Sequence, residues 1–442
     1  MTDRIFSLID QEKQRQTEMV GLIPSENNTS PEVSRVLSSC LSNKYSEGYA
    51  GRRYYEGNEI IDEIESLAVE RVKSLFGVAY ANVQPYSGSP ANLAIYFALM
   101  DPGDTILGLK LAHGGHLTHG HPKVTASGTF YTSVQYGVDE SARIDFDEVR
   151  SLARKHKPKV IVAGNTAYPF ELDFKTFRDI ADEVGAWLVA DISHVTGLVI
   201  GGQHSSPVPH ADVIMSTTHK TFRGPRGAMI LVTERGVKKD SKLPQKIDSA
   251  IIPGLQGGPH NATTAAIAIA AEEATKPEYK QYTKRIRANA TALAESLLSA
   301  GIQLVGGGTQ THLMVLDFSS IRPELGSQIA IALNAAGIYA NKNTVPTEQG
   351  SPFYPSGVRI GTPLVTTRGM GVVQMHQIAD WIARVVEWVA TGSTLPEEKQ
   401  QRASFLNDYR AHTAADTTLQ AVRQEVKEVA TQFPLFSWEE IG

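Results

Sequence analysis

Cysteine is almost missing from this chain. Cys40 is the only one in 442 residues, which excludes an intrachain disulfide and any cysteine-ligated metal cluster. Its surroundings, VLSSCLSN, read as the end of an amphipathic helix with Cys40 as filler rather than as a lone nucleophile. Excess charge is lacking as well: 42 Lys and Arg against 47 Asp and Glu give a net −5, and nothing in that balance attracts nucleic acid. No apolar run approaches the roughly 20 residues that span a bilayer, so no membrane partner is expected. The start, MTDRIFSLIDQEKQ, has no apolar signal-peptide core and is too acidic for a transit peptide, which makes the cytoplasm the expected location. Internal repeats and low-complexity linkers are also absent.

What is present is length and alternation. A chain of 442 residues exceeds what one hydrophobic core holds, so at least two domains are expected. From about residue 60 to 235, helical patterns alternate with short apolar runs, the pattern of a mostly parallel sheet with crossover helices. PKVIVAG (158–164), AWLVADIS (186–193), ADVIMST (211–217) and AMILV (228–232) read as strands. A long alanine-rich helix is expected from Ala262 to about Leu298. THLMVLDF (311–318) and GVRIGTP (357–363) read as strands of a second α/β domain, with GSQIAIALNAAG (326–337) as a helix, and the chain from Pro396 is charged and helical. The expected division is an N-terminal arm over 1–45, a large domain over 46–275 and a small one over 276–442. In open α/β sheets ligands gather outside the carboxyl ends of the strands, which would bring Thr166, Asp191, His194 and Lys220 to one crevice.

Within that frame several stretches carry chemistry. MSTTHKTFRGPRGA (215–228) crowds His219, Lys220, Arg223 and Arg226 where a strand ends. It is a solvated basic turn, or Lys220 is an amine tuned by neighbouring cations to bind a carbonyl. Asp191 in VADISHVTG is a helix N-cap or a buried carboxylate that keeps a pyridine nitrogen protonated. PYSGSPANLA (85–94) sets Ser87, Gly88 and Ser89 before a helical run, as a cap or as a phosphate cradle. LAHGGHLTHGHP (111–122) has four histidines, but its Gly-Gly turn favours a flexible loop over fixed zinc spacing and no carboxylate accompanies it, so no metal is expected. An imidazole stacked on an aromatic cofactor is the better use. NKYSEGYAGRRYYEGNE (43–59) is too polar for core and reads either as a solvated loop or as a site loop. Arg359, alone in an apolar strand, snorkels to solvent or grips a carboxylate.

Together these stretches, with LIPSEN, YPFELDF, PGLQGGP, NKNTVP and RIGTPLVTTRG, closely resemble the serine hydroxymethyltransferase family over nearly the whole chain. The resemblance implies a fold-type I enzyme dependent on pyridoxal 5′-phosphate (PLP), with a large PLP-binding domain. It implies reversible interconversion of L-serine and tetrahydrofolate with glycine and 5,10-methylenetetrahydrofolate, through an external aldimine. Lys220 would carry the cofactor, with Thr217, His219 and Arg226 as site walls. Asp191 would pair with the pyridine nitrogen, His194 and Thr166 would lie near the ring hydroxyl, His116 would stack on the ring, and Ser87, Gly88 and Ser89 would take the phosphate. The family's sites are shared across a homodimer, and the sequence leaves dimer against tetramer open. Tyr45, Gly257 and Gly258 would therefore serve the phosphate of the other subunit, and Glu47, Tyr54 and Tyr55 its substrate. Ser25 and Arg359 would hold the substrate carboxylate, and Leu111, Leu117 and Asn343 would contact folate.

Several positions depart from the commonest family wording. Pro24 and Ser193 stand where alanine is usual, Tyr86 where histidine is frequent, Thr166 where serine is frequent, and FYPSG replaces FVTSG. None removes a charged catalytic group, although Tyr354 and Pro355 lie near Arg359 and bear on substrate breadth. The rival readings are a folate-independent aldolase or an α-methylserine transferase on the same scaffold, and a silent cofactor-binding protein.

Overall fold

A computed structural model describes residues 3–436. The chain forms two compact units, one from Asn27 to Lys284, the other joining residues up to Glu26 with those from Arg285 onward. Each is described by itself.

The larger unit is built on seven strands: β1 (Tyr80–Asn82), β2 (Thr105–Leu109), β3 (Thr132–Tyr136), β4 (Val160–Gly164), β5 (Trp187–Asp191), β6 (Val213–Thr217) and β7 (Ala228–Val232). Their order is β1-β7-β6-β5-β4-β2-β3. The neighbours from β6 to β3 are parallel, and β7 alone runs antiparallel to both β6 and β1. The four strands read from apolar runs are thus all present. β4, β6 and β7 are buried along their whole length, which is why their sequences do not alternate apolar with polar residues.

The helices that matter for the site are α1 (Glu59–Phe76), α2 (Gly88–Leu99), α3 (Phe146–His156), α4 (Phe174–Val184), α5 (Asn261–Ala274) and α6 (Pro277–Ser299). α2 lays Ala91, Ile95 and Leu99 into one core with Val160, Val162, Val189, Val213 and Met215 of the strands. Each buried aliphatic side chain contributes about 1.5–3 kcal/mol, so this packing fixes where the first turn of α2 sits. α3 and α4 start on aspartates: Asp145 accepts the amides of Asp147 and Glu148, and Asp173 accepts that of Thr176. The single alanine-rich helix expected from Ala262 to Leu298 is two helices. Pro277 has no amide to donate, so the first ends at Ala274 and the second restarts on the proline.

In the smaller unit, β8 (Gln303–Leu304), β9 (Leu313–Asp317), β10 (Asn341–Asn343) and β11 (Gly357–Gly361) form an antiparallel sheet in the order β8-β9-β11-β10. Its core joins Met314, Leu316, Val358 and Ile360 to apolar side chains of α7 (Gly326–Ala335) and α8 (Val372–Ala390). The stretch expected as an arm divides at Glu26. Val20–Gly21 pairs in parallel with Ile338–Tyr339 and so belongs with the smaller unit, whereas the helix Pro31–Leu37 buries Val33 and packs on α5. From Pro396 onward two helices follow, Arg402–Ala415 and Thr417–Ala430. No helix among the described residues is long and apolar enough to cross a membrane.

Away from the strand carboxyl ends lies a buried ion pair. Arg178 on α4 reaches Asp212 at 2.9 Å, and the same carboxylate accepts the Leu188 amide at 2.8 Å. Removing one partner strands a buried charge. Arg178→Met should therefore lower stability by about 3 kcal/mol, the low end for a broken buried pair because Lys239 stands 3.9 Å from the carboxylate. Chemical denaturation of the apoprotein checks this, and a loss under about 1 kcal/mol would show that the pair is solvated.

Candidate active site

The parallel register delivers the first chemical groups. Gly164 of β4, Asp191 of β5 and Met215 of β6 stand side by side, so residues just beyond them emerge at one edge of the sheet. Thr166, Asp191, His194 and Lys220 all belong to these strand ends, which is the convergence expected of them, and Thr217 ends β6 beside them. Lys220 opens the connection between antiparallel β6 and β7. That connection is fixed by its backbone: Asn27 Nδ2 donates to the Lys220 carbonyl at 2.9 Å, and the Gly224 amide to the Thr218 carbonyl at 2.7 Å. Lys220 and His219 are half-buried, whereas Arg226 is exposed at the rim.

Asp191 is buried, and its carboxylate is surrounded by donors. Oδ2 lies 2.9 Å from His119 Nε2 and 3.0 Å from Asn92 Nδ2, and Oδ1 accepts the Ser193 amide at 3.1 Å. Burial is the strongest single influence and opposes ionisation. The bond and charge at His119, together with Ser193 and the charge of Lys220, outweigh it and hold the carboxyl well below the usual range. Asn92 also donates to Thr118 Oγ1 at 2.8 Å, and that hydroxyl lies 2.7 Å from His116 Nδ1. The histidine expected to stack on a ring is thereby tied to the carboxylate expected to meet the same ring. Neither His119 nor Asn92 was singled out from sequence. His119 stood in view as one of four histidines, but only the fold shows it facing Asp191.

The Gly-Gly turn of that loop is not a source of flexibility, as expected from sequence, but a requirement of close packing. A Cβ on Gly114, which has φ +98°, would lie 2.9 Å from the Ala167 carbonyl carbon, and one on Gly115 would lie 2.0 Å from the Leu109 carbonyl oxygen. Gly114 in turn accepts the Thr166 amide at 2.7 Å, joining the histidine loop to the end of β4. Among the described residues no group of three or more His, Cys, Asp or Glu could hold a metal ion. Leu111 and Leu117 border the loop, the first half-buried and the second exposed.

The phosphate cradle expected at Ser87, Gly88 and Ser89 is the start of α2. Ser87 is its N-cap and makes no side-chain capping bond. Gly88 packs so tightly that a Cβ would come within 2.6 Å of Thr217 Cγ2. Thr217 Oγ1 and His219 Nδ1 are buried with no hydrogen-bond partner. A helix N-terminus closed by no side chain, beside orphaned polar atoms, an ionised carboxylate and a lysine, fits an aromatic cofactor carrying phosphate, carbonyl and ring nitrogen.

Glu47, Tyr45, Tyr54 and Tyr55 sit on a loop held from below by Arg53. Its guanidinium donates to Asp62 at 2.8 Å and Glu65 at 3.0 Å on α1, and to the Ser46 and Gly48 carbonyls, each at 2.9 Å. Ser46 donates to Asn261 at the start of α5 at 2.6 Å. Tyr55 donates to Glu47 Oε2 at 3.0 Å, and that bond raises the phenol above its ordinary range. Gly257 and Gly258 lie alongside: Cβ positions there would fall 3.3 Å from Glu47 Oε1 and 3.1 Å from the Tyr45 ring.

Ser25, Arg359 and Asn343 belong to the smaller unit. Arg359 is buried on β11, donates from Nε to Asn341 Oδ1 at 3.0 Å, and has its guanidinium pulled down to about 10 by burial. It does not snorkel. Ser25 follows Pro24, which packs against Gly361 at the end of β11, and Asn343 pairs with Gly357 in register. Asn343 Nδ2 donates to the Thr344 carbonyl at 2.6 Å.

The seven-stranded sheet, the lysine after β6 and the carboxylate that ends β5 define a fold-type I PLP-dependent enzyme. The particular family follows from comparison. Residues 1–382 match the serine hydroxymethyltransferase family, and the chain belongs to that family. It is similar to the serine hydroxymethyltransferase of Acidothermus cellulolyticus, with 54% identity over 97% of this chain and 95% of the relative. Against that of Desulfotalea psychrophila the identity is 49%, covering 92% and 94% respectively, and against serine hydroxymethyltransferase 1 of Pseudomonas fluorescens it is 46%, covering 98% and 96%.

His219 supplies a pH test. Burial first, then the charges of Lys220 and Arg226, pull its imidazole down to about 3 from the ordinary 6.5. A histidine neutral when folded and protonated when unfolded costs stability as pH falls below its unfolded pKa, by up to about 1.4 kcal/mol per unit. The loss should run from about pH 6.5 down toward 3 and be absent above that window. Apo His219→Gln should therefore show a flatter stability profile between pH 6.5 and 4.5 than the apo wild type in urea titrations. Equal slopes would show His219 to be protonated in the folded protein.

Proposed function

We propose that this protein is a PLP-dependent serine hydroxymethyltransferase that moves the hydroxymethyl carbon of L-serine to tetrahydrofolate, giving glycine and 5,10-methylenetetrahydrofolate, and runs the reverse reaction. The observation that carries this reading is the buried, ionised Asp191 at the strand ends that also present Lys220. PLP, when bound, supplies an electron sink for the α-carbon of the amino acid. The rest is the work of side chains. Asp191 keeps a proton on the ring nitrogen, and His116 covers the ring face. Ser87, Gly88 and Ser89 hold the phosphate, while Thr166, His194, Thr217, His219 and Arg226 line the ring and its substituents. Lys220 would hold the cofactor through its amine.

Arg359 and Ser25 bind the substrate carboxylate. Burial has already stripped water from the Arg359 guanidinium, which strengthens a bidentate pair. Glu47 accepts and returns a proton at the substrate hydroxyl, with Tyr55 donating to one carboxylate oxygen and leaving the other for the reaction. Tyr54 lies on the same loop, and Leu111, Leu117 and Asn343 contact the folate. The working assembly is a homodimer in which Tyr45, Glu47, Tyr54, Tyr55, Gly257 and Gly258 serve the partner's site. Supporting this, the loop tyrosines stand open, Tyr45 at 61% and Tyr54 at 71% exposure, on a surface that also exposes Phe97 at 57% and Leu255 at 46%. We assign the protein to the cytoplasm.

The functional reading is tested by the visible spectrum of the purified protein. A band that shifts with glycine, and shifts again when tetrahydrofolate is added, is expected. A glycine response without any folate response would select the folate-independent aldolase. Lys220→Ala should abolish the borohydride-reducible link between cofactor and protein. Asp191→Asn should slow serine cleavage a hundredfold or more while the fold survives, since the ring nitrogen loses its counter-charge; near-normal turnover would give that role to another group.

The dimer is tested by complementation. Glu47→Gln keeps size and hydrogen bonding but removes proton transfer, so it should spare cofactor and glycine binding and suppress serine cleavage. If sites are shared, random subunit exchange between Glu47→Gln and Lys220→Ala makes about half the dimers mixed, each with one intact site, and restores roughly a quarter of wild-type activity. No recovery after exchange confirmed by a size-tagged subunit would put both groups in one chain's site.

A further inference from the structure

Tyr86 is the departure that stands nearest the chemistry, and its contacts are specific. Its ring stacks on His260 with centroids 4.3 Å apart and planes within 10°. Its hydroxyl donates to the Gly258 carbonyl at 2.7 Å. Its amide donates to Gln256 Oε1 at 3.1 Å, and Gln256 Nε2 donates back to the Gln84 carbonyl at 3.0 Å. The strand-to-helix segment 84–86 is therefore bonded to the turn 256–260 at three points and one ring face.

Both ends of this connection matter. Tyr86 directly precedes Ser87, the N-cap from which α2 presents its open amides. The turn it grips carries Gly257 and Gly258, whose Cα atoms face Glu47 Oε1 and the Tyr45 ring. His260 occupies the N-cap position of α5 and makes no capping bond, which leaves its imidazole available as a stacking surface. A histidine at position 86 has no hydroxyl beyond its ring, so it cannot stack on His260 and also reach the Gly258 carbonyl as tyrosine does.

We propose that Tyr86, paired with His260, is a positioning residue that locks the start of its own chain's phosphate cradle to the Gly257–Gly258 turn, which serves the partner's phosphate, and so sets how tightly cofactor is retained. The proposal rests on the reading of Ser87 to Ser89 as the phosphate site. Tyr86 itself touches neither the reacting carbon nor the substrate. Its action runs through the turn, and removing its hydroxyl should loosen the turn whether or not cofactor is present.

Two measurements separate these links. In the apoprotein, amide hydrogen exchange at Gln256, whose N–H in the gripped turn donates to the Ile251 carbonyl at 2.8 Å, should be about three- to tenfold faster in Tyr86→Phe than in wild type, the range expected for one neutral hydrogen bond. In the loaded protein, PLP release into excess apo-acceptor enzyme should accelerate by a similar factor, with kcat for serine cleavage at saturating PLP kept within about twofold. Tyr86→His should behave like Tyr86→Phe. His260→Ala should give the same direction, and the double variant should fall short of the product of the two single effects because both act through one contact. Unchanged exchange at Gln256 in Tyr86→Phe would overturn the lock. Faster exchange with unchanged PLP release would overturn its link to the cofactor. Loss of the glycine-dependent spectrum in the wild type itself would instead count against the functional reading, leaving the apoprotein exchange result to decide the lock.

Discussion

The whole site depends on keeping one carboxylate ionised where water is scarce. Asp191 ends a fully buried stretch of strand, and an isolated carboxylate there would take up a proton rather than stay charged. His119, Asn92 and Ser193 prevent that by donating three hydrogen bonds. Each donor comes from a different element: the histidine loop after β2, helix α2, and the turn after β5. The sheet must fold for these donors and the Lys220 charge to meet the carboxylate, so the folding of the sheet and the electrostatics of the site are one constraint. The same network reaches Thr118 and His116, so the charge and the imidazole proposed to stack on the ring are set together.

A second constraint is close approach. Gly88, Gly114, Gly115 and Gly164 all occupy positions where a Cβ would strike a neighbour within 3 Å, and all lie around the strand ends. Gly164 abuts Asp191 itself, with a would-be Cβ 2.6 Å from Asp191 Cβ. Glycine here brings backbone against backbone so that the polar ends of three parallel strands fit in one crevice. The carboxylate loop is built in another way. Its backbone carbonyls are gathered by the Arg53 guanidinium, which α1 holds through Asp62 and Glu65. Burial raises the Glu65 carboxyl despite that cation. A rigid cluster beneath therefore supports an exposed chemical edge above.

Much of this was legible in the residues. The strands at 160–164, 187–191, 213–217 and 228–232 announce themselves as short apolar runs, and Lys220 and Asp191 are visible because polar residues end those runs. Register then converges them without any further information. What sequence could not give is which polar group faces which. His119 was hidden because four histidines in twelve residues carry no directional signal. Arg53 was hidden because its partners are twelve residues away at most yet lie on a different element. The break before Pro277 was legible in principle, since proline opens helices more readily than it continues them, but the alanine-rich pattern on either side masked it.

The structure gives most of the departures from the commonest family wording local partners. Ser193 Oγ accepts the Thr217 amide at 3.0 Å and so stitches the end of β5 to that of β6, a bond alanine could not make. Pro24 fills the space beside Gly361, where a Cβ would come within 2.8 Å of the proline Cβ. Tyr354 lies under the Arg402 guanidinium at 5.0 Å, which anchors the FYPSG turn by a cation–π contact. Thr166 keeps a hydroxyl, and its amide is bound to Gly114. Every one of these residues supports a chemical group without replacing it. Change is thus concentrated in the scaffold that aims the reacting side chains, where a new hydrogen bond or ring contact can compensate for what was lost. Asp191, Lys220, Glu47 and Arg359, the charged groups on which the proposed function rests, are not among these departures.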